Sequence, residues 1–333
     1  MIFPSQSHHI GNHTAKMASL SCSMTMRSTI KLPYVSLAFR STLLCKSQLS
    51  QNYNYTVRPA SIVPKRSYSM ARPTGLIASK GIELLSWGTP NGVKAHILLE
   101  ELRDAYGLDY TIQGIDIGLN VQKEPWFTAI NPNGRIPVLV DHDNNDLAVF
   151  EGNAILSYLT RKYDPEHKLS FKIDDDDYTR AESWIGWQHG GIGPMEGQAF
   201  HFLGIKPEIP YAIQRYVGET ERLFGVLDKR LADRDYIVGP GRGRYSIADI
   251  ALVGWADRLP GTSISYDQFP NVKAWLARIL ERPAVKRGLL LPSGKDKPTG
   301  LDPVDEETRR KRAELKEVID QAKEQFGYKY SSP

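Results

Sequence analysis

The hydrophobic and polar positions from Ile82 onward follow two periods in turn, one typical of strands and one of amphipathic helices. Short apolar runs predict strands at residues 82–87, 110–117, 137–141 and 147–150. Helical spacing predicts helices at about 91–105 and 153–163, with a short helix or turn at 125–130. This β-α-β-α-β-β-α order predicts one small mixed sheet with helices on both of its faces.

Residues 178–290 show no strand pattern, so the second half of the chain is predicted to be all-helical. Four helical stretches are expected, at 178–203, 211–233, 246–257 and about 270–281. Ser246 and Asp249 are spaced as N-terminal capping residues for the third of these helices. Residues 305–325 have a helical composition, but their apolar positions are too few to predict a firm packing face.

The charge is distributed unevenly along the chain. Residues 1–82 carry ten basic residues and no acidic one, which leaves 32 basic against 38 acidic residues in the remainder. The globular part is therefore mildly acidic, and nucleic acid is not an expected partner. No apolar run reaches the ~18 residues that a membrane span needs. The predicted parts are a leader at 1–75, an α/β domain at 80–165, an all-α domain at 175–291 and a charged tail at 292–333.

The leader is rich in Ser, Thr and Arg, a composition typical of a mitochondrial transit peptide. Arg66 stands two residues before the Tyr68–Ser69 bond, which resembles one kind of transit-peptide cleavage site. Two alternatives stay open: a disordered tail, or an upstream extension that is absent when translation starts at Met70. The mitochondrial matrix and the cytoplasm are therefore both expected locations.

Both cysteines of the chain, Cys22 and Cys45, lie in this leader. The folded part is consequently expected to have no disulfide, no thiolate zinc site and no cysteine nucleophile. The four aspartates at 174–177 lack the Gly and the closing Glu of a calcium loop, so they indicate a solvated linker or a negatively charged helix start. No metal site is predicted.

The turn Thr89-Pro90-Asn91-Gly92 joins the first predicted strand to the first helix. Thr89 is a good N-cap residue, and Pro90 suits the first helical turn because its missing N–H costs nothing there. The hydroxyl of Thr89 and the amide of Asn91 thus stand at a helix N-terminus, where a negative charge is stabilised. This turn is predicted to hold an anion.

Three motifs follow in order: Thr89-Pro-Asn-Gly-Val-Lys94, Asn131-Pro-Asn-Gly-Arg-Ile-Pro-Val-Leu-Val140 and Phe150-Glu151. Over about residues 80–290 the chain resembles the nu-class bacterial glutathione transferases and the fungal transferases similar to the nitrogen-regulator protein. The resemblance implies a thioredoxin-like N-terminal domain followed by an all-helical glutathione-transferase C-terminal domain, an α/β plus all-α fold. It also implies glutathione as co-substrate and a homodimer.

The same resemblance assigns the anion as the thiolate of glutathione, with Thr89 and Asn91 as the catalytic groups. Ser86 lies within the first strand and is interpreted as structural. The resemblance makes Pro137 a cis-proline that turns the backbone of Ile136 toward the tripeptide. It makes Glu151 the acceptor of the γ-glutamyl ammonium. The groups it places near the glutathione carboxylates are Gln122, Arg135 and Arg215.

The chain departs from the family pattern directly after Glu151. The family usually has Ser and then a small residue there, whereas this chain has Gly152 and Asn153. Gly152 keeps a backbone N–H for the γ-glutamyl carboxylate, but the hydroxyl contact is lost, at a cost of about 1 kcal/mol. Asn153 is expected either to replace this contact or to serve only as a helix-start residue.

The predicted function is conjugation of glutathione to electrophiles, with glutathione-dependent disulfide or peroxide reduction as a further activity. The alternative is a non-catalytic glutathione-binding regulatory protein of the same fold. A purely structural domain is less favoured, because most of the glutathione-binding residues are present. Candidates to hold the second substrate are the aromatic residues Trp184, Trp187, Phe200, His201 and Phe202.

Overall fold

The computed structural model describes residues 75–295 and 297–327. The predicted leader, with its two cysteines, its predicted cleavage site and Met70, lies outside the described residues apart from Gly75.

Four strands form one sheet in the order β2-β1-β3-β4. Strand β1 pairs in parallel with β2 and antiparallel with β3, and β3 pairs antiparallel with β4. The strands are β1 (Ile82–Ser86), β2 (Tyr110–Gly114), β3 (Val138–Asp141) and β4 (Leu147–Phe150). The helices between and after them are α1 (Pro90–Tyr106), α2 (Pro125–Ile130) and α3 (Gly152–Tyr163). The predicted β-α-β-α-β-β-α order is confirmed.

Helix α1 begins and ends where the sequence predicts. The side chain of Thr89 caps its first turn, and Gly107 ends it in the left-handed conformation with φ of 71°. Every residue of α1 from Gly92 to Leu102 is buried, because the sheet covers one side of the helix and the helical domain covers the other. Helices α1 and α3 both contact helices of the helical domain, so both of them join the two domains.

The rest of the chain is helical, as predicted, with two differences. Residues 178–203 do not form one helix, because a π-helical turn at Gln188–Ile192 separates α4 from α5. A short helix after residue 282 was not predicted. The helices are α4 (Asp176–Trp187), α5 (Gly193–Gly204), α6 (Pro210–Leu231), α7 (Ile247–Ala256), α8 (Pro270–Leu280), α9 (Pro283–Leu290) and α10 (Glu306–Phe326).

Helix α7 is buried along its whole length. Ser246 and Asp249 form the predicted capping box at its start. Asp249 also accepts hydrogen bonds from Ile237 N at 3.0 Å and from Trp275 Nε1 at 2.9 Å. This carboxylate therefore fixes the start of α7 against α8 and against the loop before it.

Helix α9 is held on α1 by ion pairs as well as by close packing. Arg282, which precedes α9, donates to both oxygens of Glu101 at 2.7 and 2.8 Å. Arg287 contacts Glu100 and Asp104, each at 2.6 Å. A methyl group built on Gly288 would lie 2.9 Å from Ile97 Cα, so only glycine allows this approach. Helix α9 therefore fixes the position beside α1 from which the chain continues to Pro292.

Helix α10 packs on α6, so the expectation that residues 305–325 lack a firm packing face is wrong. Ile319 and Ala322 are buried there, and Lys323 pairs with Glu221 at 2.6 Å. Gln214 Nε2 donates to the carbonyl of Gly327 at 2.5 Å. Ile319, Ala322, the edge-on contact of Phe326 with Tyr211 and the two polar contacts thus replace the broad apolar stripe that sequence analysis looks for.

The four aspartates form a negatively charged helix start. Asp175 caps α4 by accepting from Asp177 N at 2.9 Å, and Arg180 pairs with Asp176 and Asp177. No cluster of three His, Cys, Asp or Glu residues suited to a metal occurs among the described residues. Within the same residues, no helix is both long and apolar enough to cross a membrane.

Candidate functional site

The β1–α1 turn presents hydrogen-bond donors at the start of α1. Thr89 Oγ1 accepts from Gly92 N at 3.2 Å, so the hydroxyl oxygen serves the cap while its hydrogen has no acceptor among the described residues. No acidic residue lies in the first turn of α1. The positive end of the helix dipole is therefore not offset by a carboxylate of its own turn.

The side chain of Asn91 is oriented by the helical domain. Trp255 Nε1, on α7, lies 3.3 Å from Asn91 Oδ1. An indole N–H can only donate, so the amide oxygen must face Trp255 and the Asn91 NH₂ group points elsewhere. No described residue accepts a hydrogen bond from that NH₂ group. Asn91 thus offers a fixed donor beside the Thr89 hydroxyl.

Ser86 is a structural residue, as predicted. Its hydroxyl is buried and lies 2.8 Å from His96 Nε2. Burial lowers the pKa of His96 to about 4, so the imidazole stays neutral at physiological pH. Ser86 is therefore engaged inside the sheet–helix interface.

The loop before β3 carries a strand-like edge that is available for pairing. The Ile136–Pro137 bond is cis, as the resemblance implies. No described residue bonds the backbone N–H or C=O of Ile136, whereas Asn131 Nδ2 donates to the Arg135 carbonyl at 2.7 Å and fixes the loop. The Arg135 side chain is exposed. An extended peptide can therefore pair with Ile136 as one more strand.

Glu151 stands at the start of α3 in an unusual conformation, with φ of 72°. Its side chain does not cap α3. Instead, one carboxylate oxygen accepts from Asn133 Nδ2 at 3.3 Å and the other lies 3.6 Å from His189 Nε2. The strained backbone thus turns the carboxylate away from the helix and toward the loop and the π-helical turn.

The two residues after Glu151 have separate tasks. Asn153 Nδ2 donates to the Ile185 carbonyl at 3.1 Å, so this side chain ties α3 to α4. A methyl group built on Gly152 would lie 3.8 Å from the Asn91 carbonyl oxygen, which places the starts of α1 and α3 side by side. The Gly152 N–H belongs to the first turn of α3, where backbone donors are not used within the helix.

Lys94 is a candidate that the sequence analysis did not assign. Its side chain is 1 % exposed, and its ammonium donates to Gln188 Oε1, in the π-helical turn, at 2.6 Å. Burial lowers the pKa of Lys94 to about 7, and the negative charge of Glu151 opposes that shift. On the pattern alone, a lysine one turn into an amphipathic helix is usually solvated. Only the packing of α3 and of the π-helical turn against α1 reveals that Lys94 is buried.

Gln122 and Arg215, which were predicted to bind glutathione, make none of the contacts described above. Gln122 is buried, and its Nε2 is 3.4 Å from the Ile117 carbonyl. Arg215 lies on α6 in the helical domain, 3.8 Å from Glu219. The described contacts place Gly152 beside Asn91, in the turn that Thr89 caps, and Asn133 links Glu151 to the loop that carries Ile136.

A cavity of about 1230 Å³ opens beside the β1–α1 turn. Gly88, Pro90 and Val93 line it, together with the end of α7, helix α9 and residues 297–305. Of the five aromatic candidates for a second-substrate site, Phe200 lines this cavity. Trp184 packs edge-on against Trp187 at 5.0 Å, and Phe202 stacks on Tyr216 at 5.3 Å, so these three rings contribute to helix packing.

Comparison with known proteins agrees with this geometry. The family model "Glutathione S-transferase, N-terminal domain" matches residues 80–161, and "Glutathione S-transferase, C-terminal domain" matches residues 194–283. The chain is 41% identical over 214 residues to the disulfide-bond oxidoreductase YfcG of Escherichia coli, covering 63% of this chain and 94% of that protein.

Two solved structures share the fold. A glutathione transferase homolog from Lodderomyces elongisporus, with two glutathione molecules per subunit, is 39% identical with a TM-score of 0.60, covering 64% of this chain and 99% of that one. The nitrogen regulation fragment of the yeast prion protein Ure2p is 32% identical with a TM-score of 0.60, covering 65% of this chain and 99% of that one.

Proposed function

Because the chain belongs to the glutathione S-transferase family, we propose that it binds glutathione along the loop before β3 and transfers it to electrophiles. The observation that carries this proposal is the convergence of unused donors at the starts of α1 and α3. The Thr89 hydroxyl, the Asn91 NH₂ group and the first-turn N–H groups of α1 lie there, and the first turn of α1 carries no carboxylate.

Each part of the tripeptide has a counterpart on the chain. The Ile136 backbone pairs with the cysteinyl residue, and Glu151 accepts the γ-glutamyl ammonium. The Gly152 N–H donates to the γ-glutamyl carboxylate, and exposed Arg135 is available for the glycyl carboxylate. Gln122 and Arg215 remain predictions for the carboxylates, and the buried side chain of Gln122 would have to turn outward.

The chain activates the thiol by stabilising its ionised form. Thr89 and Asn91 donate to the thiolate, and the α1 dipole adds positive potential. Donors fixed before the reaction lose no free energy to reorientation, which is why the Trp255–Asn91 contact supports this role. The thiolate then attacks an electrophilic carbon, a C–S bond forms and the leaving group departs with the bonding electron pair.

Disulfide reduction is a second activity of the same site, supported by the similarity to YfcG. The described residues contain no cysteine. The bound thiolate would therefore attack the substrate disulfide itself, and a second glutathione would resolve the mixed disulfide to oxidised glutathione and a free thiol. Peroxide reduction would follow the same course through a sulfenic acid of glutathione.

The test is retention on immobilised glutathione, followed by kinetics with 1-chloro-2,4-dinitrobenzene, a mixed disulfide and a hydroperoxide. We expect Asn91→Ala to lower kcat roughly a hundredfold, the effect of removing one oxyanion-type donor. Thr89→Ala should lower it about tenfold, and Thr89→Ser should restore it because both the cap and the donor return. Thr128→Ala on α2 is the matched control.

The outcomes separate the two functions. Retention on the resin without turnover of any of the three substrates would support the alternative, a glutathione-binding regulatory protein, in line with the likeness to the Ure2p fragment. Full activity of the Asn91 and Thr89 alanine variants would overturn the site assignment. The homodimer and the mitochondrial or cytoplasmic location also remain predictions, to be checked by sedimentation and by localisation of a C-terminally tagged chain.

A further inference from the structure

The cavity beside the β1–α1 turn owes one wall to Gly294, residues 297–305, Thr308 and Arg312, which lie beyond the end of the matched family model at residue 283. This C-terminal segment runs from α9 past the turn and into α10. A methyl group built on Gly88, the residue before Thr89, would lie 2.9 Å from Lys297 Nζ. The segment therefore brings an ammonium group to the same turn that carries Thr89 and Asn91.

The acidic residues that line the cavity are occupied by the chain itself. Asp257 accepts from Gly300 N at 2.8 Å, and Asp302 accepts from Thr299 N at 2.6 Å. Asp305 accepts from Thr308 N at 2.7 Å. Glu281 pairs with the basic lining residue Lys286 at 2.8 Å. These four carboxylates hold the wall in shape.

The other three basic residues of the lining are not paired in this way. Lys297, Arg258 and Arg312 have no carboxylate oxygen within 4.0 Å among the described residues. Burial raises the pKa of Glu196 well above its usual range, and the positive charge of Arg258 opposes that shift. Apolar surface from Val93, Phe200 and Leu289 lies in the same cavity.

We propose that this cavity receives the second substrate and that Lys297, Arg258 and Arg312 select one with a carboxylate or sulfonate on an apolar body. The inference rests on the proposed function. Two sources share this chemistry: a small organic anion with an electrophilic carbon, and a second glutathione molecule or its disulfide. Lys297 and Arg258 are exposed and Arg312 is half-buried, so the first two lose little solvation when the anion arrives.

The first test compares two electrophiles that differ only in charge, 4-chloro-3,5-dinitrobenzoate and its methyl ester. In both, the glutathione sulfur replaces chloride on the ring. We expect Lys297→Gln to lower the ratio of kcat/KM, anion over ester, about threefold, and Lys297→Gln with Arg312→Gln to lower it about tenfold. Lys295→Gln, an exposed lysine of the same segment outside the lining, is the control.

A second test needs no turnover. Without glutathione, 1-anilinonaphthalene-8-sulfonate and its uncharged analogue N-phenyl-1-naphthylamine are titrated by fluorescence into each protein. The double variant should weaken only the sulfonate dye, by about tenfold. Displacement of the sulfonate dye by oxidised glutathione distinguishes the two sources of the anion. If the double variant loses this displacement, the anion is a glutathione molecule. If the double variant keeps it, the anion is a small organic one.

Equal ratios and equal dye affinities in the double variant and the Lys295 control would overturn this inference while leaving the transferase function intact. Absence of turnover with both electrophiles would instead contradict the proposed function. The dye titration would then still decide whether the cavity selects anions.

Discussion

Two lysines flank the start of α1, and the difference between them separates the two sides of the site. Lys94 is buried on the side of the proposed glutathione site, where Gln188 accepts its hydrogen bond at 2.6 Å. Lys297 is exposed on the cavity side, beside Gly88. The first lysine is fixed by packing, whereas the second is a long side chain with its charge in solvent.

The contrast shows how one helix terminus serves a constant and a variable ligand. A buried charge is costly, so it is kept only where surrounding groups hold it in one position. An exposed charge costs little and adapts its rotamer to the ligand. Under the two proposals, the side with the buried lysine would suit one tripeptide, and the cavity side would suit anions of varied shape.

The largest predicted effect comes from replacing the buried lysine. Lys94→Met removes a group with a pKa of about 7 in the folded chain. Between pH 7 and 10.5 the unfolded chain keeps this proton and the folded chain does not, so wild-type stability rises with pH relative to the variant. We expect a relative gain of about 2 kcal/mol from pH 7 to pH 9, measured by denaturant unfolding.

Lys297→Met is the matched control, because that lysine is exposed in the folded chain. Parallel stability curves for wild type and Lys94→Met across this pH range would show that Lys94 is not buried as a charge-sensitive group. The contrast between the two lysines would then fail.

The next effect concerns the contact that orients Asn91. Trp255→Phe removes the indole N–H and leaves the amide free to rotate, so kcat for conjugation should fall about tenfold. A general packing defect would lower kcat in any background. A positioning role predicts that Trp255→Phe adds little once Asn91 is already alanine, because the two residues act as one unit. Additive losses in this double-mutant cycle would contradict the role.

The two sides also differ in how far the sequence predicts them. The short sequence motifs correctly predict the N-cap at Thr89 and the cis bond before Pro137, because local geometry fixes both. The roles of Asn91 and Glu151 stay predictions. The Trp255–Asn91 contact joins residues 164 positions apart, and no local pattern reveals it.

The wall of the cavity was harder to predict from the sequence than the Trp255–Asn91 contact. Residues 305–325 have few apolar positions, and α10 docks through Ile319, Ala322 and an ion pair from Lys323. A periodicity argument measures apolar stripes, so it assigns such a helix to solvent. The placement of Lys297 depends on this docking and on α9, which was also not predicted.

The smallest predicted effect is on the KM for glutathione. Gly152→Ser supplies the hydroxyl that the family pattern has after Glu151. Its Cβ would lie 3.6 Å from Lys94 Cδ and 3.8 Å from the Asn91 carbonyl oxygen, which are ordinary contact distances. One added hydrogen bond of about 1 kcal/mol should lower KM for glutathione about fivefold.

Gly152→Ala provides the comparison, because it adds the same Cβ without the hydroxyl. Equal KM values for the serine and alanine variants would mean that the γ-glutamyl carboxylate does not reach the start of α3. A lower KM for serine alone, with the preference for anionic electrophiles unchanged, would show that the two sides bind independently. The proposed glutathione site and the cavity would then be linked only through the glutathione thiolate that lies between them.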